Sequence, residues 1–167
     1  MTFSLYDAST PLFVRGLNAL VGLIDKAAAS GLDEEGLMQA RLAPDMLPFV
    51  SQVRIATDNA KGAVARLGGA EPLVLADDET TLAQLRERVL RTIAYVESVG
   101  PDGFAGAETR PVQLKFPGIE LNFDGAGYLT SFALPNFYFH LTTAYGLLRH
   151  AGIELGKRDY MGQLALV

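Results

Sequence analysis

The stretch from Gly127 to His150 constrains the fold more than any other part of the chain. At helical spacing it is apolar nearly all round, carrying Leu129, Phe132, Phe137, Tyr138, Phe139, Leu141, Tyr145 and Leu147. A helix without a polar face has to be surrounded on most sides by other elements. It is not a membrane span, because no apolar run approaches the ~18–20 uninterrupted residues that a bilayer requires. Pro135 lies inside the stretch, and a proline there either kinks the helix or begins a new one.

Three earlier segments supply helices to surround it. Thr10-Pro11 opens the first, with threonine able to cap and proline suited to the first helical position. Phe13, Leu17, Leu20, Ile24 and Ala28 follow at spacings of three and four, which is one apolar stripe, and Ser30-Gly31 ends it. Glu34 to Ala40 reads as a short helix. The second long helix is expected to start at Asp45, with Pro48 in its first turn and a stripe running from Met46 through Phe49, Val53, Ala60 and Leu67 to the stop at Gly68-Gly69. Thr81, with Gln84 three residues on, reads as a capping box for the third, whose stripe is Leu82, Leu85, Val89, Ile93 and Val96. Gly100-Pro101 ends it.

Between the third helix and the apolar stretch the period changes from 3.6 to 2. Val112, Leu114 and Phe116 alternate with Gln113 and Lys115; after Pro117-Gly118, Ile119, Leu121 and Phe123 alternate with Glu120 and Asn122. Two alternating runs about a Pro-Gly turn predict a β-hairpin. A hairpin alone is marginal in water, so its apolar face is expected to pack on the helices. The fold expected is therefore all-α: a four-helix bundle with a small β-hairpin inserted before the last helix, in a single domain over residues 1–167. A second copy of the chain would complete the cover of the last helix, so a homodimer is expected.

Composition narrows the function classes. The chain has 167 residues, a net charge of −5 and no basic cluster able to displace counterions from phosphates, so nucleic-acid binding is not expected. There is no cysteine, which removes disulfides, thiolate metal sites and cysteine nucleophiles together and suits a reducing compartment. The first residues, Met1 to Asp7, lack the basic and apolar regions of a signal peptide, and the expected location is cytoplasmic.

Chemistry-bearing motifs are few. The only histidines, His140 and His150, lie ten residues apart. On one helix that is roughly 15 Å along the axis and about 80° out of phase, so they cannot share a metal. No nucleophile elbow and no phosphate-binding glycine loop is present. What remains is a set of polar residues on apolar faces. Asn136 and His140, four apart, share one face of the last helix; Asp45 and Gln52, seven apart, share one face of the second. Buried polar groups need partners, so if both faces point inward these residues line one pocket, with Tyr138 nearby. The candidate ligand-binding residues are thus Asp45, Gln52, Asn136, Tyr138 and His140, and the expected partner is a small molecule. Each also has a structural reading: Asp45 as a helix cap, Gln52 at the solvent edge of its stripe, Asn136 satisfying backbone groups freed by a kink at Pro135, and His140 as a core histidine bonded to a carbonyl or tyrosine. His150, at a helix end, answers the last carbonyls. Arg41 and the pair Lys157-Arg158 are read as solvated cations.

Three segments carry a family resemblance: Ala40 to Pro48 (ARLAPDMLP), Ala133 to His140 (ALPNFYFH) and Gly156 to Tyr160 (GKRDY). With them the chain resembles an uncharacterised bacterial family placed in the DinB/YfiT-like superfamily, whose members are taken to be metalloenzymes. The resemblance implies a four-helix bundle, often dimeric. It also implies a metal held by three histidines, one on the second helix and a His-x-x-x-His pair on the fourth; some members are thiol-dependent transferases. Matching Leu147 to Ile153 with the superfamily's helix end puts His140 on the second histidine of the pair, Asn136 on the first and Gln52 near the one on the second helix. One ligand of three is kept, and neutral amide oxygens are poor ligands for a borderline-soft ion. Neither a metal nor a cofactor is expected, the alternative being a metal-dependent enzyme with an atypical ligand set built on His140 and Asp45, and His140 is the one side chain suited to acid or base chemistry at neutral pH.

Overall fold

The computed structural model describes residues 3–163. Four long helices form the body: α1 (Thr10–Ala29), α3 (Phe49–Gly68), α4 (Leu82–Ser98) and α6 (Leu134–His150). Shorter ones, α2 (Glu34–Gln39), α5 (Gly125–Tyr128) and α7 (Lys157–Met161), fill in around them, and β1 (Val112–Phe116) pairs with β2 (Ile119–Phe123) just before the last long helix. The long helices close a ring, with α1 on α4, α4 on α3, α3 on α6 and α6 back on α1. Each turns its apolar stripe inward, where Phe13, Leu20, Val53, Leu85, Phe137 and Leu141 are fully or almost fully buried. No helix among the described residues is long and apolar enough to cross a membrane.

The ends of the elements follow local chemistry. The capping box is present: Thr81 Oγ1 accepts from the Gln84 N–H at 3.2 Å, and Gln84 Oε1 accepts from the Thr81 N–H at 3.1 Å. Glu34 of α2 accepts from the Leu82 N–H, so α2 helps to satisfy the free donors at the start of α4. At the start of α1, Thr10 is itself helical and Ser9 takes the cap position; the Thr10 hydroxyl is buried without a partner.

The second long helix begins at Phe49, not Asp45. Pro48 explains the shift. The residue before a proline is pushed out of the helical region, which bars Leu47 from a helix that must pass Pro48. Residues 40–48 instead make a closed loop: the Met46 N–H bonds the Ala43 carbonyl at 3.0 Å, and the Phe49 N–H reaches back to the Ala40 carbonyl at 2.9 Å. Arg41, expected to be a solvated cation, donates to the Met46 carbonyl across this loop.

The expected hairpin forms, with Val112 opposite Phe123, Leu114 opposite Leu121 and the Pro117-Gly118 turn at its tip. Gly118 has φ 76°, the left-handed conformation that glycine enters without strain. Val112 and Leu114 are buried against the helices, while Phe116 and Ile119 on the same face stay exposed at the tip. On the other face Gln113 donates to Glu120 and Asn122 at 2.8 and 3.0 Å.

The last helix neither breaks nor simply kinks at Pro135. Helical backbone runs from Gly125 to His150, but Leu129–Ala133 forms a π turn in which the Leu134 N–H bonds the Leu129 carbonyl, five residues back. Proline has no N–H to offer and its ring crowds the carbonyl four residues earlier, here that of Ser131. The wider turn gives that carbonyl room. α6 is less enclosed than its sequence suggested: Pro135, Phe139 and Thr142 face outward, and Phe139 is 57% exposed. Further cover comes from α7, where the Tyr160 hydroxyl lies 2.8 Å from Thr142 Oγ1 and its ring meets Tyr145 edge-on. Lys157 and Arg158 on α7 are exposed, as expected, whereas Asp159 pairs with Lys26 of α1 at 2.9 Å. The terminal residues Leu164, Leu166 and Val167 lie outside the described residues.

Candidate functional site

Two of the candidate residues meet. Gln52 comes from the first turn of α3 and His140 from the middle of α6, and both are buried, at 1% and 8% exposure. His140 Nδ1 lies 2.7 Å from Gln52 Oε1, and Gln52 Nε2 donates to the Leu47 carbonyl at 2.9 Å. Asn136, one turn before His140, does not join them. It donates to Asn59 Oδ1 at 3.0 Å, and Asn59 donates to the Ile55 carbonyl at 2.8 Å. The two contacts are polar rungs across the seam between α3 and α6. Higher numbers on α3 pair with lower numbers on α6, so the helices run antiparallel.

Asp45 stands apart, exposed in the 40–48 loop, with no capping role because α3 starts four residues later. Tyr138 is half-buried and packs edge-on against Phe137, its ring centroid 5.2 Å away, on a different face of α6 from His140. His150 is exposed at the helix end. The sequence reading missed Asn59. It lies seven residues after Gln52, on the same face, and that spacing was the available signal.

The rung at His140 has a direction. Gln52 must present its oxygen to the imidazole because its nitrogen is committed to the Leu47 carbonyl, so Nδ1 carries the proton and donates. Nε2 is then the lone-pair nitrogen. Among the described residues it has no hydrogen-bond partner, yet it is not sealed from solvent. Burial pushes the His140 pKa down, which favours this neutral form. Phe139 stands edge-on beside the imidazole, ring centroids 5.2 Å apart, and is itself exposed.

Two of the three segments that carried the family resemblance converge here. The 40–48 loop supplies the Leu47 carbonyl, and the segment ending at His140 supplies the imidazole. The model of a family described as "Domain of unknown function (DUF1993)" matches residues 5–161. The chain belongs to this family. A solved structure described as a DinB family member protein from Shewanella denitrificans is 40% identical to it, with a TM-score of 0.87 over 98% of this chain and 94% of that one. No curated protein matches the chain. This domain of unknown function is thus a DinB-like bundle with the expected hairpin before its last helix.

The residues at the DinB-like seam do not fit a three-histidine metal. Only one of the three positions is an imidazole, and its Nδ1 is taken. Both ends of the Gln52 amide are committed, and Asn136 is turned to Asn59. Among the described residues no three His, Asp or Glu side chains converge in a ligating group.

Other concavities lie elsewhere. A cleft of about 920 Å³ at the end of α1 and α6 is lined by Lys26, Ser30, Arg149 and Asp159. A smaller one, about 310 Å³, sits over Glu79 and Arg88. Neither cleft is lined by Gln52, Asn136 or His140.

Proposed function

We propose that this DUF1993 chain binds a small molecule at the α3–α6 seam, without a metal, and that His140 Nε2 is its polar contact. The observation that carries the reading is a buried imidazole fixed at one nitrogen and left unspent at the other. Nε2 is not sealed from solvent, so a ligand that donates to it takes the place of water there. The exposed ring of Phe139 gives such a ligand an apolar neighbour. Should the bound molecule react, His140 is the group able to take or give a proton near neutral pH. The cysteine-free composition suits work in the reducing cytoplasm.

The test uses protein purified without a nickel column, analysed for metal content and, after denaturation, for co-purifying small molecules by mass spectrometry. Metal far below one equivalent is expected, together with a small molecule that is absent from His140→Ala. Near-stoichiometric metal that disappears in His140→Ala would instead establish a metal-dependent enzyme with an atypical ligand set.

A second reading, that the chain is a homodimer through α6, is favoured by its exposed apolar side chains. Phe139 is 57% exposed, and Phe116 and Ile119 at the hairpin tip are 48% and 58% exposed. The tip is joined to the last helix through the contact of Phe116 with Phe132, ring centroids 6.4 Å apart. Light scattering across micromolar concentrations should show a dimer that Phe139→Asp dissociates; a monomer throughout removes this reading.

A further inference from the structure

We infer that Gln52 is a positioning residue that fixes His140 as a hydrogen-bond acceptor, so that the seam selects neutral ligands carrying an O–H or N–H donor on an apolar body. The inference rests on the reading of His140 as the ligand contact. It adds what kind of ligand is taken and which residue decides it.

The chain of hydrogen bonds has no freedom to reverse. A backbone carbonyl only accepts, so the Leu47 oxygen requires the nitrogen end of the Gln52 amide. The oxygen end then faces His140 Nδ1 at 2.7 Å and can only accept. Nδ1 must donate, and in a neutral imidazole that leaves Nε2 with a lone pair and no hydrogen. A ligand group at Nε2 therefore has to bring the proton. A carboxylate or phosphate oxygen would meet a lone pair and be repelled, and an ether or ketone would find nothing to accept from. No cation is paired with either member of the rung, so nothing there compensates an anionic ligand. The apolar half of the preference comes from Phe139, which stands at 87° to the imidazole with its ring largely in solvent.

The Leu47 carbonyl belongs to the closed loop between Ala40 and Phe49. The loop thus sets the amide, the amide sets the tautomer, and the tautomer sets the ligand class. Gln52 itself is 1% exposed and acts through His140.

The chain has two histidines, which makes the tautomer directly readable. In ¹⁵N-labelled protein at neutral pH, a long-range proton–nitrogen correlation should show His140 protonated at Nδ1 and bare at Nε2, with the exposed His150 as internal reference. Phenol, anisole and benzoate then serve as probes of like size: a donor, an ether and an anion. Phenol should shift the Nε2 resonance and bind at least ~5-fold more tightly than anisole, the net worth of one hydrogen bond. Gln52→Leu should abolish both the tautomer bias and the phenol preference. Gln52→Met, which keeps the length of the side chain but gives Nδ1 no amide oxygen to donate to, should do the same; it serves the test if Gln52→Leu does not fold. A His140 protonated at Nε2 in the wild type, or equal binding of anisole and phenol at His140, overturns the inference while leaving His140 as the contact. If no probe perturbs His140, the ligand reading falls and this inference falls with it.

Discussion

Arg88→Ala is expected to destabilise the protein by about 3–5 kcal/mol, the usual cost of removing one partner from a buried charged cluster. The Arg88 side chain, on α4, is 2% exposed, and every arm of its guanidinium is committed. Nε donates to Thr57 Oγ1 at 2.7 Å, Nη1 to the Ala76 carbonyl and to Glu79 at 2.9 Å, and Nη2 to Asp58 at 2.8 Å. Glu79, 8% exposed, is also held by Arg54 of α3 at 2.7 Å. Burial alone would raise the Glu79 pKa, but the hydrogen bonds from Arg88 and Arg54 outweigh it and hold the carboxyl below its ordinary value. Burial likewise disfavours the Arg88 charge, and Glu79, Asp58 and Asp77 more than compensate.

These bonds pin the acidic connection before α4 onto the α3–α4 face. Asp58 and Asp77 are 43% and 61% exposed, so their share is small and Glu79 carries most of the effect. For a chain of this size the loss corresponds to a fall in Tm of roughly 6–20 °C. Thermal and urea unfolding would measure it, with Arg88→Lys recovering part because it keeps the charge but not the fork of donors. A loss under about 1 kcal/mol would mean that the cluster behaves as an ordinary surface network.

Phe137→Ala should cost a similar amount, about 3–5 kcal/mol, for a different reason. Phe137 is fully buried where α6 crosses α1, with its ring edge-on to Phe13 at 5.0 Å between centroids. Its tip fills the notch left by Gly16: a Cβ on that glycine would stand 2.6 Å from Phe137 Cε1. Truncation removes the ring and leaves a void that a bundle joined on every side collapses only partly. The reciprocal change, Gly16→Ala, should cost about 1–3 kcal/mol by overpacking. Combined with Phe137→Leu, which shortens the side chain, it should cost less than the sum of the two. Unfolding of the four members of that double-mutant cycle would show the coupling, and strict additivity would refute the notch.

Much of this was legible because it is local. The stripe from Phe13 to Ile24, the Thr81–Gln84 box and the alternation about Pro117-Gly118 are patterns within a few residues, and each is realised. The start of α3 was misplaced because a stripe residue, Met46, outweighed the restriction that Pro48 puts on Leu47. The site was legible in part for a related reason. Gln52 and His140 are polar residues on otherwise apolar stripes, which singled them out, and they bond each other. Partner choice across a seam depends on the stagger of two helices, which no single segment carries. Asn136 therefore found Asn59, and Asp45 stayed in its loop. Tyr138, two residues from His140, was near in sequence but on another side of the helix.

The π turn at Leu129–Ala133 also bears on ancestry. Such a turn accommodates one residue more than a regular helix over the same path. A single residue advances a regular helix by about 100°, so the extra residue taken up as ordinary helix would carry the hairpin and α5 to a different side of α6; the wider turn absorbs it and holds them where they are. A cousin of this chain with a regular helix here should therefore align with a one-residue gap just before the counterpart of Pro135. Deleting one residue between Leu129 and Ala133 would be the laboratory form of that evolutionary step, and it should turn the π turn into regular helix while leaving both the hairpin and the His140–Gln52 rung in place.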